Sequence, residues 1–383
     1  MTGYNKITNN ILKFLKQTEK LYIFGAQSRA QTLMGQLKAL FPGLVIAGYL
    51  VDDEENNVSD IEGVSVIHMK EKCSWTDRQT EYPVLIATKG IYHERIAHSL
   101  ETLGFCNVIP VSVEVDNCLR NAYVSKVYGE TGRAFVKLET LKADNAMGVG
   151  AKEKQDVCVY VAKSIYDREL ETPYEYPAYE QPVQVGAALT GQRLKEAIAT
   201  DDTGDNISDR NRQYSELTGL YWVWKNRRHE IAGLAHYRRH FVLPKDWADI
   251  MKEHHIDVIV PVPTYVYPDI DSNYRQRHIP DDWDFLLEYL SKKEPEAYLA
   301  AKKVFAGSLY LPCNMFIAGW EALDDLCSWM FPILDAVAKN GGIKEDVYLN
   351  RYVGFVSERL ITLFFTMYHD KYKIAYADRI FLR

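Results

Sequence analysis

The feature that most constrains the fold is a rhythm confined to the first 120 residues: short, continuous apolar runs separated by amphipathic stretches. LYIFGA (Leu21 to Ala26), VIAGYLVDD (Val45 to Asp53), VSVIH (Val64 to His68), PVLIAT (Pro83 to Thr88) and NVIPV (Asn107 to Val111) have strand length and strand composition. Helical patterning fills Tyr4 to Gln17, Ser28 to Leu40 and Ile91 to Leu103, the last stopped by Gly104. Strands that are apolar on both faces and alternate with helices call for a parallel sheet covered on both sides. Residues 1–120 are therefore expected to form a small Rossmann-like α/β domain. A charged, glycine-bearing connector is expected over 121–155, with a helix near Ala134 to Ala143. A second domain, 156–383, opens on the apolar strand VCVYVAKSI.

Gly25 ends the first run where a nucleotide phosphate would sit, with Asp52 or Asp53 placed for a ribose. The string G-A-Q-S-R-A puts Gln27 where a second glycine would admit a pyrophosphate, so Gly25 reads equally well as a tight turn. An NAD-dependent nucleotide-sugar oxidoreductase or epimerase working through this domain is one rival reading. Composition narrows the rest. The six cysteines (Cys73, Cys106, Cys118, Cys158, Cys313, Cys327) form no C-x-x-C pair, against both a zinc knuckle and a disulfide framework. The N-terminus shows no secretory pattern and no window is apolar enough to span a membrane, so a cytoplasmic protein is expected. The 26 tyrosines outnumber phenylalanine and tryptophan combined, which suits half-buried surfaces and sugar or base recognition.

Chemistry concentrates between Thr203 and Phe241. The chain is acidic overall, with a formal net charge of -7, yet Lys225, Arg227, Arg228, Arg238 and Arg239 gather here among His229, His236 and His240. A local cationic cluster on an acidic protein suits a discrete anion better than nucleic acid, whose backbone needs a longer basic track. Asp205, Asn206 and Ser208 are capping residues, so a helix is expected from about Ile207 to Asn226, and the N–H groups at its start could hold an anion. Asn211, Glu216, Lys225 and Asn226 flank its aromatic stripe. IAGLA (Ile231 to Ala235) is a strand that delivers His236, Tyr237, Arg238 and Arg239 to a sheet rim, where α/β folds bind ligands. There the two arginines could clamp a diphosphate.

The strings PVQVGAAL (Pro182 to Leu189), DDTGDNIS (Asp201 to Ser208), ELTGLYWVWKN (Glu216 to Asn226), GLAHYRRHF (Gly233 to Phe241), NMFIAG (Asn314 to Gly319) and GFVSERL (Gly354 to Leu360) resemble the DUF4422 family. Its members are taken to be glycosyltransferases of bacterial capsule, exopolysaccharide and lipopolysaccharide synthesis. The resemblance implies a GT-A-like domain taking a nucleotide-sugar donor, with a UDP-sugar of galactose or galactofuranose the expected one. It also implies a saccharide or lipid-linked saccharide acceptor and peripheral contact with the inner face of the membrane. VCVYVAKSI would be the first strand, bringing Lys163 to the nucleotide, and GLAHYRR would stand where a metal-binding D-x-D is usual. HYRR lacks carboxylates, so arginines in place of a metal are expected, with Mn2+ or Mg2+ at the literal D-x-D of Asp269 and Asp271 as the alternative.

Three groups are candidates to accept the proton of an attacking hydroxyl: Glu358, Asp282 and His278. Asp281 and Asp282 equally suit the first turn of a Pro-led helix, and Glu358 with Arg359 equally suits a buried structural pair. Asn314, polar in an apolar run, is a candidate substrate contact in a core strand. A non-catalytic glycan- or nucleotide-binding protein is the remaining rival.

Overall fold

The computed structural model describes residues 10–52, 58–69, 75–143 and 156–383. Asp53, Cys73, Tyr4 and part of the connector lie outside them. The chain divides into two compact units, residues 1–134 with 265–268, and residues 135–264 with 269–383.

In the first unit, β1 (Lys20–Phe24), β2 (Val45–Val51), β3 (Asp60–Ile61), β4 (Val64–His68), β5 (Val84–Ile86) and β6 (Val108–Pro110) form one sheet in the order β3-β4-β2-β1-β5-β6. All are parallel except β3, which turns back on β4. The pleat sends alternate residues to opposite faces. Leu21 and Ile23 pack with α1 (Ile11–Gln17), α2 (Ser28–Leu40) and the long helix at Val113–Glu130, whereas Tyr22 and Phe24 pack with the helix at His93–Thr102. With α3 assigned to the short Asp77–Thr80 turn, those two helices are α5 and α4. Helix α5 runs ten residues past the expected boundary at 120, and its Val115 and Leu119 are what hold it in this core. The helix expected near Ala134 to Ala143 is a single 3-10 turn, Leu138–Thr140.

The second unit contains β7 (Val157–Lys163), β8 (Glu180–Gln184), β9 (Ala199–Thr200), β10 (Ile231–His236), β11 (Arg239–Val242), β12 (Val258–Pro261), β13 (Phe316–Gly319) and β14 (Ile374–Phe381). Their order is β11-β14-β12-β13-β10-β7-β8-β9. Strands β10, β7, β8 and β9 run parallel, and β13 is inserted antiparallel between β10 and β12. Val159, Val161, Ile259 and Ile317 face Trp247, Ile250 and Met251 on one side. On the other side Tyr160 meets Trp222 edge to face, with ring centroids 6.2 Å apart. The fold is thus mixed α/β with a parallel core in each unit.

Candidate active site at the carboxyl rim of the second sheet

Strand β7 pairs with β8 on one side and β10 on the other, so chain order reverses there and opens a crevice at the carboxyl ends. Register places His236 opposite Ala162 and Lys163 opposite Gln184, all at this rim. The helix expected over Ile207 to Asn226 is broken in two. A 3-10 turn at Ser208–Arg210 leads into α6 (Asn211–Tyr214), and α7 follows at Leu217–Asn226. Ser215 between them has φ +52°, which ends α6. The Asn211 amide donates to the Ser215 carbonyl (2.7 Å) and to Thr218 Oγ1 (2.9 Å), fixing the break. Gly186, at φ +67°, lies against the same amide, where a Cβ would come within 2.8 Å. The break brings Glu216 into the crevice.

Glu216 is buried and accepts from Asn314 Nδ2 at 2.9 Å, while His236 Nε2 stands 3.3 Å from its other oxygen. Burial alone would raise its pKa; His236, the Asn314 amide and Arg351 outweigh that and hold it at about 2. Asn314 does not sit within a core strand as the apolar run suggested. Cys313 (φ +73°) and Asn314 (φ +50°) make a left-handed bend just before β13. Two such residues cost about 1–3 kcal/mol each, and fixed hydrogen bonds hold them. The Asn314 amide also donates to the Gly354 carbonyl (3.1 Å) and accepts from Ser357 Oγ (2.7 Å), and the Cys313 N–H donates to Glu358 Oε1 (2.6 Å).

Glu358 and Arg359 belong to α13, Tyr352–Met367, numbered after α8 (Trp247–Glu253), α9 (Ile270–Arg277), α10 (Pro280–Lys293), α11 (Pro295–Phe305) and α12 (Trp320–Gly341). Burial raises the Glu358 pKa; Arg359, the Cys313 N–H and Arg239 pull it back, while nearby Glu216 pushes the same way as burial. Arg359 donates to Glu358 Oε2 at 2.7 Å and lies over the rings of Tyr274 and Tyr310.

Three residues not singled out from the sequence complete the crevice. Asp167 accepts from the Ser164 N–H (2.7 Å); burial raises its pKa against His236, Arg238 and Arg351. Arg351 donates through Nε to Ser215 Oγ at 3.0 Å. Arg351, Phe355 and Glu358 stand at i, i+4 and i+7, a helical spacing that could have drawn attention to Arg351. Asp167 and Ser215 carry no comparable signal. The Arg238 Nε and His236 Nδ1 atoms are buried without a hydrogen-bond partner among the described residues. Arg238 and Arg239 both lie over the Phe381 ring.

Residues 168–370, more than half of the chain, match DUF4422, described as a domain of unknown function. The chain belongs to the DUF4422 family. Among solved structures it is similar to the apo form of WbbM, a bifunctional glycosyltransferase, with a TM-score of 0.51 and 23% identity. That likeness covers 59% of this chain and 45% of WbbM, so the chain spans less than half of that protein and the likeness is one of fold. No curated protein matches it.

The other motif residues of this DUF4422 chain lie apart from the Glu216–His236 pair or are engaged elsewhere. The Asp205 N–H donates to Asn226 Oδ1 and the Ser208 N–H to Asn206 Oδ1, so the chain caps these two N–H groups itself rather than offering them to an anion. Asn226 and Lys225 lie at the far end of α7, roughly 15 Å along its axis from Glu216, and Lys225 sits over the Trp224 ring. Lys163 is at the rim and pairs with Glu196. Tyr237 is buried beside His236. Asp282, in the first turn of α10, is buried against Lys344 Nζ at 2.9 Å. His278 stacks on Phe355, with centroids 4.1 Å apart. Burial, then repulsion from Arg359 and Arg277, lowers its pKa to about 3 and keeps it neutral. In the literal D-x-D, Asp269 caps α9 through the Ser272 N–H, and Asp271 holds Arg275 and Trp283 Nε1. Among the described residues, no group of three or more His, Cys, Asp or Glu is arranged to hold a metal ion, and no helix is long and apolar enough to cross a membrane.

Proposed function

We propose that the second unit is a glycosyltransferase that moves a sugar from a nucleoside diphosphate donor to a saccharide or lipid-linked saccharide acceptor. The donor in this reading is a UDP-sugar, galactose in pyranose or furanose form. The setting is surface polysaccharide synthesis at the cytoplasmic face of a membrane. One observation carries the reading: Glu358, a carboxylate whose pKa burial raises, feels the positive charge of Arg239, and Arg238 lies over the same Phe381 ring as Arg239. Glu358 takes the proton of the acceptor hydroxyl as that oxygen bonds to the anomeric carbon. The bond from that carbon to the diphosphate breaks, and the arginines meet the charge that grows on the leaving group. Glu216, held ionised, orients His236 and Asn314 around the reacting centre. The fold shared with a glycosyltransferase and the family membership support the assignment. The D-x-D carboxylates are occupied by a helix cap and ion pairs, so the proposal gives the diphosphate to the arginines.

Thermal shift tests it, with UDP, GDP, CMP, UDP-sugars and NAD, each with and without Mn2+. A ligand at a hundredfold excess over Kd stabilises the folded state by about 2.7 kcal/mol. UDP or its sugars should raise the Tm of the wild type independently of Mn2+, and Arg238→Ala/Arg239→Ala should abolish the rise. A response to NAD alone that survives the double substitution would overturn the proposal.

A further inference from the structure

Phe355 lies in the first turn of α13, between Arg351, at the N-cap of that helix, and Glu358, and three residues before Arg351 stands Tyr348. Tyr348 is 53% exposed, with Val347 at 83% and Ile343 at 86% beside it on the same loop. An exposed tyrosine on a loop ordinarily has a free ring, but this one is backed. Its centroid is 5.0 Å from Phe355 and 6.1 Å from His278, nearly parallel to the latter at 25°. His278 in turn stacks on Phe355 at 24°. The result is a cluster of three rings, fixed from behind, whose outer member keeps a face open to solvent. Fixing the ring before a ligand arrives lowers the entropy lost on binding.

We propose that Tyr348 and Phe355, backed by His278, form an aromatic platform that receives a hexopyranose ring of the acceptor beside Glu358. The inference rests on the transferase reading of the same site and adds the place and class of the acceptor. A pyranose has a face of C–H groups, which suits an aromatic ring, and a rim of hydroxyls, which suits charged acceptors and donors. From Phe355 to Glu358 is under one helical turn, roughly 4.5 Å along the axis. In this reading a hydroxyl projecting past the ring edge along the helix is the one Glu358 receives, while Arg351, which lies 6.0 Å from the Phe355 ring, supplies a donor. The neutral state of His278 keeps the stack uncharged behind the sugar.

Saturation-transfer NMR with methyl glucoside, methyl galactoside and methyl mannoside, each without donor, reads this platform directly. Wild type should transfer saturation to the ring C–H protons of at least one sugar. Tyr348→Ala should remove that signal and Tyr348→Trp restore it, and in a transfer assay Tyr348→Ala should raise acceptor KM about tenfold with donor KM unchanged. UDP is the parallel probe. If Tyr348→Ala instead removes the uridine signal, the ring is a nucleobase platform and the proposal falls. It falls equally if no sugar gives a signal, or if the signal survives in Tyr348→Ala. The sugar arm needs neither donor nor turnover, so its outcome is independent of whether the chain binds UDP.

Discussion

The two units present the same kind of crevice and furnish it in opposite ways. In the first, β1 lies between β2 and β5, so chain order reverses there as it does at β7. Gly25 closes β1 with φ +110°, donates its N–H to the Leu50 carbonyl, and lies where a Cβ would come within 3.2 Å of the Ala87 carbonyl oxygen. The glycine is explained by that close approach. Asp52 pairs with Arg95 at 3.1 Å in an exposed contact. At the second rim Glu216 and Arg359 are buried, Glu358 is largely shielded, and the Cys313–Asn314 bend beside them has positive φ at both residues. Topology makes a binding crevice possible in both units, but shielded, paired charge lines the rim in one.

The sharpest way to break that contrast is Glu358→Gln. The side chain keeps its size and its acceptor for the Cys313 N–H, and loses the ability to take a proton. Transfer should fall about 10²–10⁴-fold, with the UDP-sugar thermal shift intact. Wild-type turnover in this variant would remove Glu358 from the chemistry and leave the proton acceptor to another group.

Glu216→Gln sharpens the contrast on stability. A carboxyl held at about 2, below its ordinary 4.5, stabilises the fold fully above 4.5, and this contribution drains away as pH falls from 4.5 towards 2. The variant lacks it at every pH. It should therefore be less stable than wild type at pH 7 by about 1.5–3 kcal/mol, the range for hydrogen bonds to charged groups. The gap should narrow steadily in urea melts between pH 4.5 and pH 2. A gap independent of pH would mean that packing, not charge, ties Glu216 to His236 and Asn314.

The rhythm of the first 120 residues was legible as strands and helices because burial on both faces leaves unbroken apolar runs. The strand from Ile231 and the Pro-led start of α10 were equally plain. What the sequence concealed were the places where tertiary contacts override local preference. ISDRNRQYSELTGLYW reads as one helix, and nothing in its composition shows that Ser215 turns left-handed; the nearby Asn211 amide, seated against Gly186, and the distant Arg351 hold that turn. Asn314 looked like a polar residue in a strand because a left-handed bend without glycine leaves no mark in composition. Asp205, Asn206 and Asn226 stand out in a motif, yet the Asn226 amide binds the backbone of Asp205 and the Asn206 amide that of Gly204 and Ser208. A motif shows that residues matter without saying whether they hold the fold or the ligand.

Asp52→Ala is the mildest test and bears on the first rim alone. Asp52 is about one-third exposed and Arg95 about two-thirds. Solvent screens such a pair, so its loss should change stability by less than about 1 kcal/mol. If the first unit is an accessory fold, the substitution should also leave every ligand response unchanged, whether to UDP, to UDP-sugars or to NAD. If Asp52 instead holds a ribose, an NAD-induced rise in Tm should be present in wild type and lost in the variant, because the carboxylate that accepts the two ribose hydroxyls is gone. The same panel run on Asp52→Ala and on Arg238→Ala/Arg239→Ala therefore assigns ligand binding to one rim or the other. The present contrast between exposed and buried charge requires that only the second variant respond.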